Sequence, residues 1–314
     1  MGNQVAARWF NDGVSIVPGR SLELPDGRVL RMLEAGALDG SPLLVFHPTP
    51  SSRLFVRQYA AAALATGVRL VGFSRPGYGA STTATPGLRV VAEDAARVAD
   101  AAGLGRFAVL GFSGGTPFAA ATAACFPDRV AALGLCAAVA PWREVEDRGV
   151  EYDDDLERVL QLVDGDAALE QLRNRARQQY ADQLTLDDTA LAAHLHADAE
   201  PPDDAVLTPA LAMGQAVTLR DAFDQDLETD PPSFDGPAFD ELAFGRAWDV
   251  DVAAATAPTW VWQGSADVVT PLDHARWYAD RIPHATMVVR EGRGHLGSFE
   301  AYAEEMFETL RDAL

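Results

Sequence analysis

At 314 residues, 48 % hydrophobic and without a low-complexity tract, the chain is long enough for one large α/β domain with an insertion, or for two small domains. Its net charge is −21 and all 25 basic residues are arginine, a balance that argues against nucleic acid or an anionic membrane as partner. No apolar run reaches the length of a bilayer and Met1 to Phe10 lacks the apolar core of a signal peptide, so a soluble cytoplasmic protein is expected.

Along the chain, Ser21 to Leu24 and Val29 to Ala35 alternate around the turn Pro25-Asp26-Gly27, the pattern of an antiparallel hairpin at a sheet edge. Leu43 to His47 is a continuous apolar run, as a strand buried on both faces should be. A helix over about Leu54 to Thr66, a strand from Arg69 to Phe73, and a helix over about Val90 to Ala102 follow. Then Arg106 to Phe112 is an apolar strand that breaks into Gly111-Phe112-Ser113-Gly114-Gly115 and runs into an alanine-rich helix, Thr116 to Cys125. A serine at the tip of such a strand–turn–helix stands proud of the sheet edge, and glycines two positions either side let strand and helix approach closely. Val130 to Ala137 is the next strand. Strands alternating with helices at this spacing predict a mostly parallel sheet covered on both faces.

From 141 to about 250 the pattern changes to helical periodicity in pieces, as in Leu156, Val159, Leu160 and Val163, broken by Glu200-Pro-Pro-Asp203, Asp230-Pro-Pro-Ser233 and Gly236-Pro237. Several short helices are expected. Residues 141 to 250 hold 27 Asp or Glu against 8 Arg, a net of −19, so nearly all the acidity lies here. The core pattern then resumes with a strand from Pro258 to Gln263, a helix from Leu272 to Arg281, a strand from Thr286 to Val289, and a final helix beginning at His295.

A serine hydroxyl is a weak nucleophile at neutral pH, so the elbow means chemistry only with a base and a carboxylate that orients it. Asp267 follows one late strand and His295 follows the next. The order Ser113, Asp267, His295, each just past the end of a presumed parallel strand, is that of the α/β-hydrolase triad. Together with Phe46-His-Pro-Thr-Pro50 and Gly72-Phe-Ser-Arg-Pro-Gly-Tyr-Gly-Ala-Ser81, these segments make the chain resemble α/β-hydrolases over its whole length apart from the middle stretch. It looks like the capped esterase, peptidase and haloperoxidase-like branch, although His47-Pro48 stands where that family usually has His-Gly.

The resemblance implies an α/β-hydrolase fold in which 1–140 and 251–314 form the core and 141–250 a helical cap inserted after the sixth strand. It makes Ser113 the nucleophile, His295 the base and Asp267 the residue that orients the imidazole. Glu144 is the first carboxylate after the sixth strand, where some relatives carry their acid, and stands too far along to replace Asp267. The oxyanion hole needs two backbone N–H donors. One is Gly114; the other must come from His47-Pro48-Thr49-Pro50, where two prolines leave Thr49 to donate past His47. The Thr49 hydroxyl is expected to cap its turn, or else to add a third donor. His47, His194, His196, His274 and His284 are read as packing, capping or solvated residues. Trp142, Tyr152, Phe223, Phe234, Phe239 and Trp248 are candidates to line an apolar pocket.

The expected activity is that of a serine hydrolase cleaving a small or medium ester, thioester or amide, its small-molecule substrate held between core and cap. Carbon–carbon bond hydrolysis, or a lyase or cyclase step, uses the same triad in relatives, and a non-catalytic binding protein is the alternative outside enzymes. With no P-loop, no Gly-x-Gly-x-x-Gly after a first strand and no Cys/His cluster at ligand spacing, neither a nucleotide nor a metal cofactor is expected. Cys125 and Cys136 sit in apolar surroundings and are expected as reduced core thiols. Sequence leaves the oligomeric state open.

Overall fold

A computed structural model describes residues 16–84, 87–162, 165–199, 201–224 and 232–314. The amino-terminal stretch read above, Val163, Glu200 and the Asp230-Pro231 pair of one breaker lie outside the described residues. Eight strands form one sheet in the order β1-β2-β4-β3-β5-β6-β7-β8. They are β1 Ile16–Glu23, β2 Val29–Gly36, β3 Ser41–Phe46, β4 Val68–Phe73, β5 Phe107–Phe112, β6 Val130–Cys136, β7 Thr259–Gly264 and β8 Ala285–Arg290. β2 pairs antiparallel with β1 and β4, and every later pairing is parallel.

The central strands are apolar throughout because both faces are covered, and the pleat sends alternate residues to opposite sides. Leu44 and Phe46 of β3 join one buried cluster with Val91, Ala95 and Val98; Leu43 and Val45 join another with Val56, Ala63, Met306 and Leu310. The helices behind these residues are α1 Phe55–Gln58, α2 Ala60–Ala65, α3 Leu88–Ala101, α4 Thr116–Cys125, α10 Leu272–Arg281, α11 Gly297–Glu300 and α12 Ala303–Arg311. Between β6 and β7 lie α5 Asp154–Leu160, α6 Gly165–Thr185, α7 Asp188–Ala197, α8 Pro209–Phe223 and α9 Asp235–Gly245. α7, α8 and part of α6 build a separate small core from Ala176, Leu191, Ala212, Leu219 and Phe223, which takes in Tyr78 from the loop after β4.

Four parts of the chain differ from the sequence reading by more than a residue or two at an end. β1 begins five residues earlier, at Ile16, with an irregularity in its register between Val17 and Arg20 that lets an edge strand carry Pro18. The helix expected over Leu54 to Thr66 is broken at Tyr59, whose backbone leaves helical geometry while its ring packs on Phe55, Phe299 and Phe307. The last helix starts at Gly297, after His295, and breaks at Tyr302. The inserted region is less fragmented than expected, since α6 alone runs for 21 residues. Both cysteines are free thiols, Cys136 buried and Cys125 half-buried, and no helix among the described residues is long and apolar enough to cross a membrane.

Candidate active site

Ser113 occupies the turn between β5 and α4 with φ +50°, a backbone conformation L residues rarely adopt. The strain is held by packing with no slack. A Cβ on Gly115 would lie 2.4 Å from the Phe46 carbonyl oxygen, and one on Gly111 would lie 2.7 Å from Thr116 Cα. The Thr116 hydroxyl donates to the Ser113 carbonyl (2.7 Å) and accepts from Val139 N–H (2.8 Å), tying the elbow to the end of β6.

The three residues expected to act together converge. His295 Nε2 lies 2.9 Å from Ser113 Oγ, and His295 Nδ1 lies 2.9 Å from Asp267 Oδ2. With the Nδ1 proton donated to the carboxylate, Nε2 is left to accept the serine proton. Asp267 Oδ1 accepts from the N–H groups of Val269 (2.9 Å) and Thr270 (2.8 Å). Its Oδ2 also accepts from Gln263 Nε2 (2.8 Å) and the Thr270 hydroxyl (2.9 Å). Burial alone would raise the Asp267 carboxyl, but the charge and hydrogen bond of His295, with the Thr270 donors, hold it below the ordinary carboxylate value. For His295 the balance is reversed. Burial lowers the imidazole, and Asp267, with Glu151 and Asp203 adding, carries it above the ordinary histidine value.

Thr49 and Gly114 face each other closely enough that a Cβ on Gly114 would lie 2.1 Å from Thr49 Oγ1, and both line a cavity with Ser113. Among the described residues the Thr49 N–H has no acceptor. Its hydroxyl neither caps the turn nor points free, because it donates to Asp240 of α9. Asp240 also accepts from Arg75 (2.5 Å) and the Tyr78 hydroxyl (2.7 Å), and both Arg75 and Asp240 are almost wholly buried. Arg75 closes the circuit. Its Nη1 donates to the His47 carbonyl and its backbone N–H to His47 Nε2 (3.2 Å), leaving His47 Nδ1 to donate to Pro48 O (2.8 Å). Burial and the Arg75 charge push His47 far below the ordinary histidine value, so it stays neutral.

Three supports went unread in the sequence: Gln263, the Arg75–Asp240 pair, and Asp203, whose carboxylate accepts from the N–H groups of Leu296 (3.0 Å) and Gly297 (2.9 Å) just after His295. Gln263 alone carried a signal, as a polar side chain ending an apolar strand. The other histidines stay apart from the triad; His274 accepts from Ala140 N–H (2.9 Å), and half-buried His194 sits 3.3 Å from Asp198.

Two cavities meet at Ser113 and share Thr49, Glu151, Tyr180 and Val269. One is walled by Gly114, Trp142, Tyr152 and Phe244. The other has His295, Phe55, Leu219 and Glu300 on its walls. Of the six aromatic candidates only Trp142 and Tyr152 reach these cavities. Phe223 and Phe234 fill the small helical core, and Phe239 and Trp248 pack against the large one.

A family model for the α/β-hydrolase fold matches residues 41–302. A search of curated proteins finds no match. Among solved structures, an α/β-hydrolase fold protein from Nakamurella multipartita is 27 % identical over 93 % of this chain and 99 % of its own, with a TM-score of 0.61. A thermophilic esterase from Thermogutta terrifontis is 20 % identical over 94 % and 97 %, with a TM-score of 0.62. A bromoperoxidase from Bacillus anthracis is 16 % identical over 93 % and 97 %, at 0.61. At such identities the last two speak to the fold alone.

Proposed function

Because the chain belongs to the α/β-hydrolase fold family, we propose that it is a serine hydrolase that cleaves a small or medium ester, thioester or amide through an acyl-enzyme. The observation that carries this reading is the continuous hydrogen-bonded line from Ser113 through His295 to Asp267, with its serine end open to two cavities. His295 takes the serine proton as Oγ attacks the carbonyl carbon, and the N–H groups of Thr49 and Gly114 stabilise the oxyanion that develops. The imidazolium, steadied by Asp267, then protonates the leaving group, and a water activated by the same histidine releases the acid.

This order of proton transfers sorts the cavities. The one with His295 on its wall takes the leaving group, since the proton is delivered there; the one with Gly114 takes the acyl group. In the same reading residues 141–250 act as a cap over a core made of 1–140 and 251–314, and α9, through Asp240, holds the Thr49 turn in place.

A fluorophosphonate probe and a panel of para-nitrophenyl esters test the proposal. Labelling of Ser113, located by peptide mass, with ester turnover abolished by Ser113→Ala, is the expected result. A chain that binds esters but neither labels nor turns over is a binding protein, and the hydrolase reading fails.

A further inference from the structure

Resting on that reading, we propose that Glu241 is a specificity-determining residue of the acyl cavity, and that it receives a protonated amine carried on the acyl chain of the substrate. Glu241 projects from α9 into the cavity that holds Ser113 and Gly114, one helical turn from Pro237 and three residues before Phe244, which line the same wall. Its Oε2 is fully buried and, among the described residues, accepts no hydrogen bond. A buried carboxylate oxygen without a protein donor is unfavourable by itself, so a donor carried by a bound molecule gains a hydrogen bond there without displacing a protein one.

The other charges around it decide what that donor is. Arg175 of α6 lines the same cavity and its charge acts on Glu241, but its two terminal nitrogens are engaged by Asp153 (2.9 and 3.1 Å), and among the described residues its Nε–H has no acceptor. Arg148 donates Nε to the Trp142 carbonyl (2.6 Å) and lies 4.6 Å from the centre of the Tyr152 ring. Glu151, exposed where the two cavities join, adds a second carboxylate, and Asp240 lies beside Glu241 on the same helix but is engaged by Arg75. Three carboxylates, Glu151, Asp153 and Glu241, thus line this cavity with two guanidiniums, Arg148 and Arg175, and the one whose buried Oε2 has no protein donor among the described residues is Glu241. The walls around it are the rings of Trp142, Tyr152, Tyr180 and Phe244, whose faces also favour a cation. In the empty site burial pushes the Glu241 carboxyl up to about 8, with Arg175 opposing and Glu151 reinforcing the rise. A bound ammonium reverses this by favouring the ionised form.

The test compares para-nitrophenyl ω-aminohexanoate with para-nitrophenyl heptanoate, which differ by an ammonium in place of a methyl group. The wild type should favour the amino ester by about tenfold or more in kcat/KM, and Glu241→Gln should bring the ratio toward one. Because burial pushes the Glu241 carboxyl up to about 8, the ratio should also rise between pH 7 and 8.5 as the carboxylate forms, and should lose that rise in the variant. A wild type that favours the heptanoate, or a variant that keeps the preference, overturns the proposal. Calorimetric titration with hexylammonium and with hexanol separates this subsite from the hydrolase reading, since it needs no turnover. Tighter ammonium binding that Glu241→Gln abolishes supports the subsite even if neither ester is cleaved; equal binding of amine and alcohol removes it even if both are.

Discussion

Asp267 receives five donors on two oxygens, from Val269, Thr270 twice, Gln263 and His295. A carboxylate so held stays ionised and fixes the imidazole tautomer, so Asp267→Asn, which turns an amide toward Nδ1, should lower kcat/KM by about 10⁴, as in other triads. A loss below about tenfold would mean that Asp267 is not the orienting acid. The base gives a second check at this scale. Only neutral His295 can accept the serine proton, and its environment holds it above the ordinary value, so kcat/KM should fall as pH drops through an apparent pKa above about 6.5. A rate that stays flat down to pH 5 would assign the limiting proton to another group. Ser113→Ala removes a single oxygen; turnover should drop by about 10⁴ to 10⁶ with the thermal midpoint little changed.

What binds the elements together was harder to read from the chain than what places the triad. Each triad residue follows its own strand within a few positions, so an apolar run ending in Gly-x-Ser-x-Gly, or in a lone Asp or His, is a local signal. Arg75 and Asp240 are 165 residues apart, and nothing in either neighbourhood announces the other. Asp203, 93 residues before the Leu296 amide it accepts from, is equally silent, and the breaks at Tyr59 and Tyr302 come from packing that only the folded chain contains. These joints carry consequences that can be measured. Asp240→Ala leaves the Arg75 guanidinium buried without its carboxylate, which should cost about 3–5 kcal/mol of stability in urea unfolding. A change under about 1 kcal/mol would mean that water reaches the pair. Asp203→Ala removes an acceptor from two amides beside His295 and one of the charges that hold the imidazole up. It should therefore lower kcat and move the acid limb to lower pH, a shift that simple loss of packing would not give.

At the scale of the whole molecule the question is what a net charge of −21 does, with −19 of it between residues 141 and 250. A field of that sign over the cavity mouth would concentrate cationic substrates, whereas solvated carboxylates paired with nearby arginines would serve solubility. Asp155 pairs with Arg158, Glu170 with Arg173, Asp153 with Arg175 and Asp188 with Arg220, but 8 arginines oppose only a minority of the 27 carboxylates between residues 141 and 250, so pairing alone does not cancel the far field. Selection by Glu241 is a contact inside a cavity and does not depend on the far field. Salt separates the two, because the Debye length falls to about 3 Å at 1 M and removes long-range attraction while leaving contacts largely in place. Raising salt from about 0.01 M to 1 M should therefore change kcat/KM for the amino ester by less than about threefold relative to the neutral one. A loss of tenfold or more, confined to the cationic ester and still present in Glu241→Gln, would assign the preference to steering by the acidic surface.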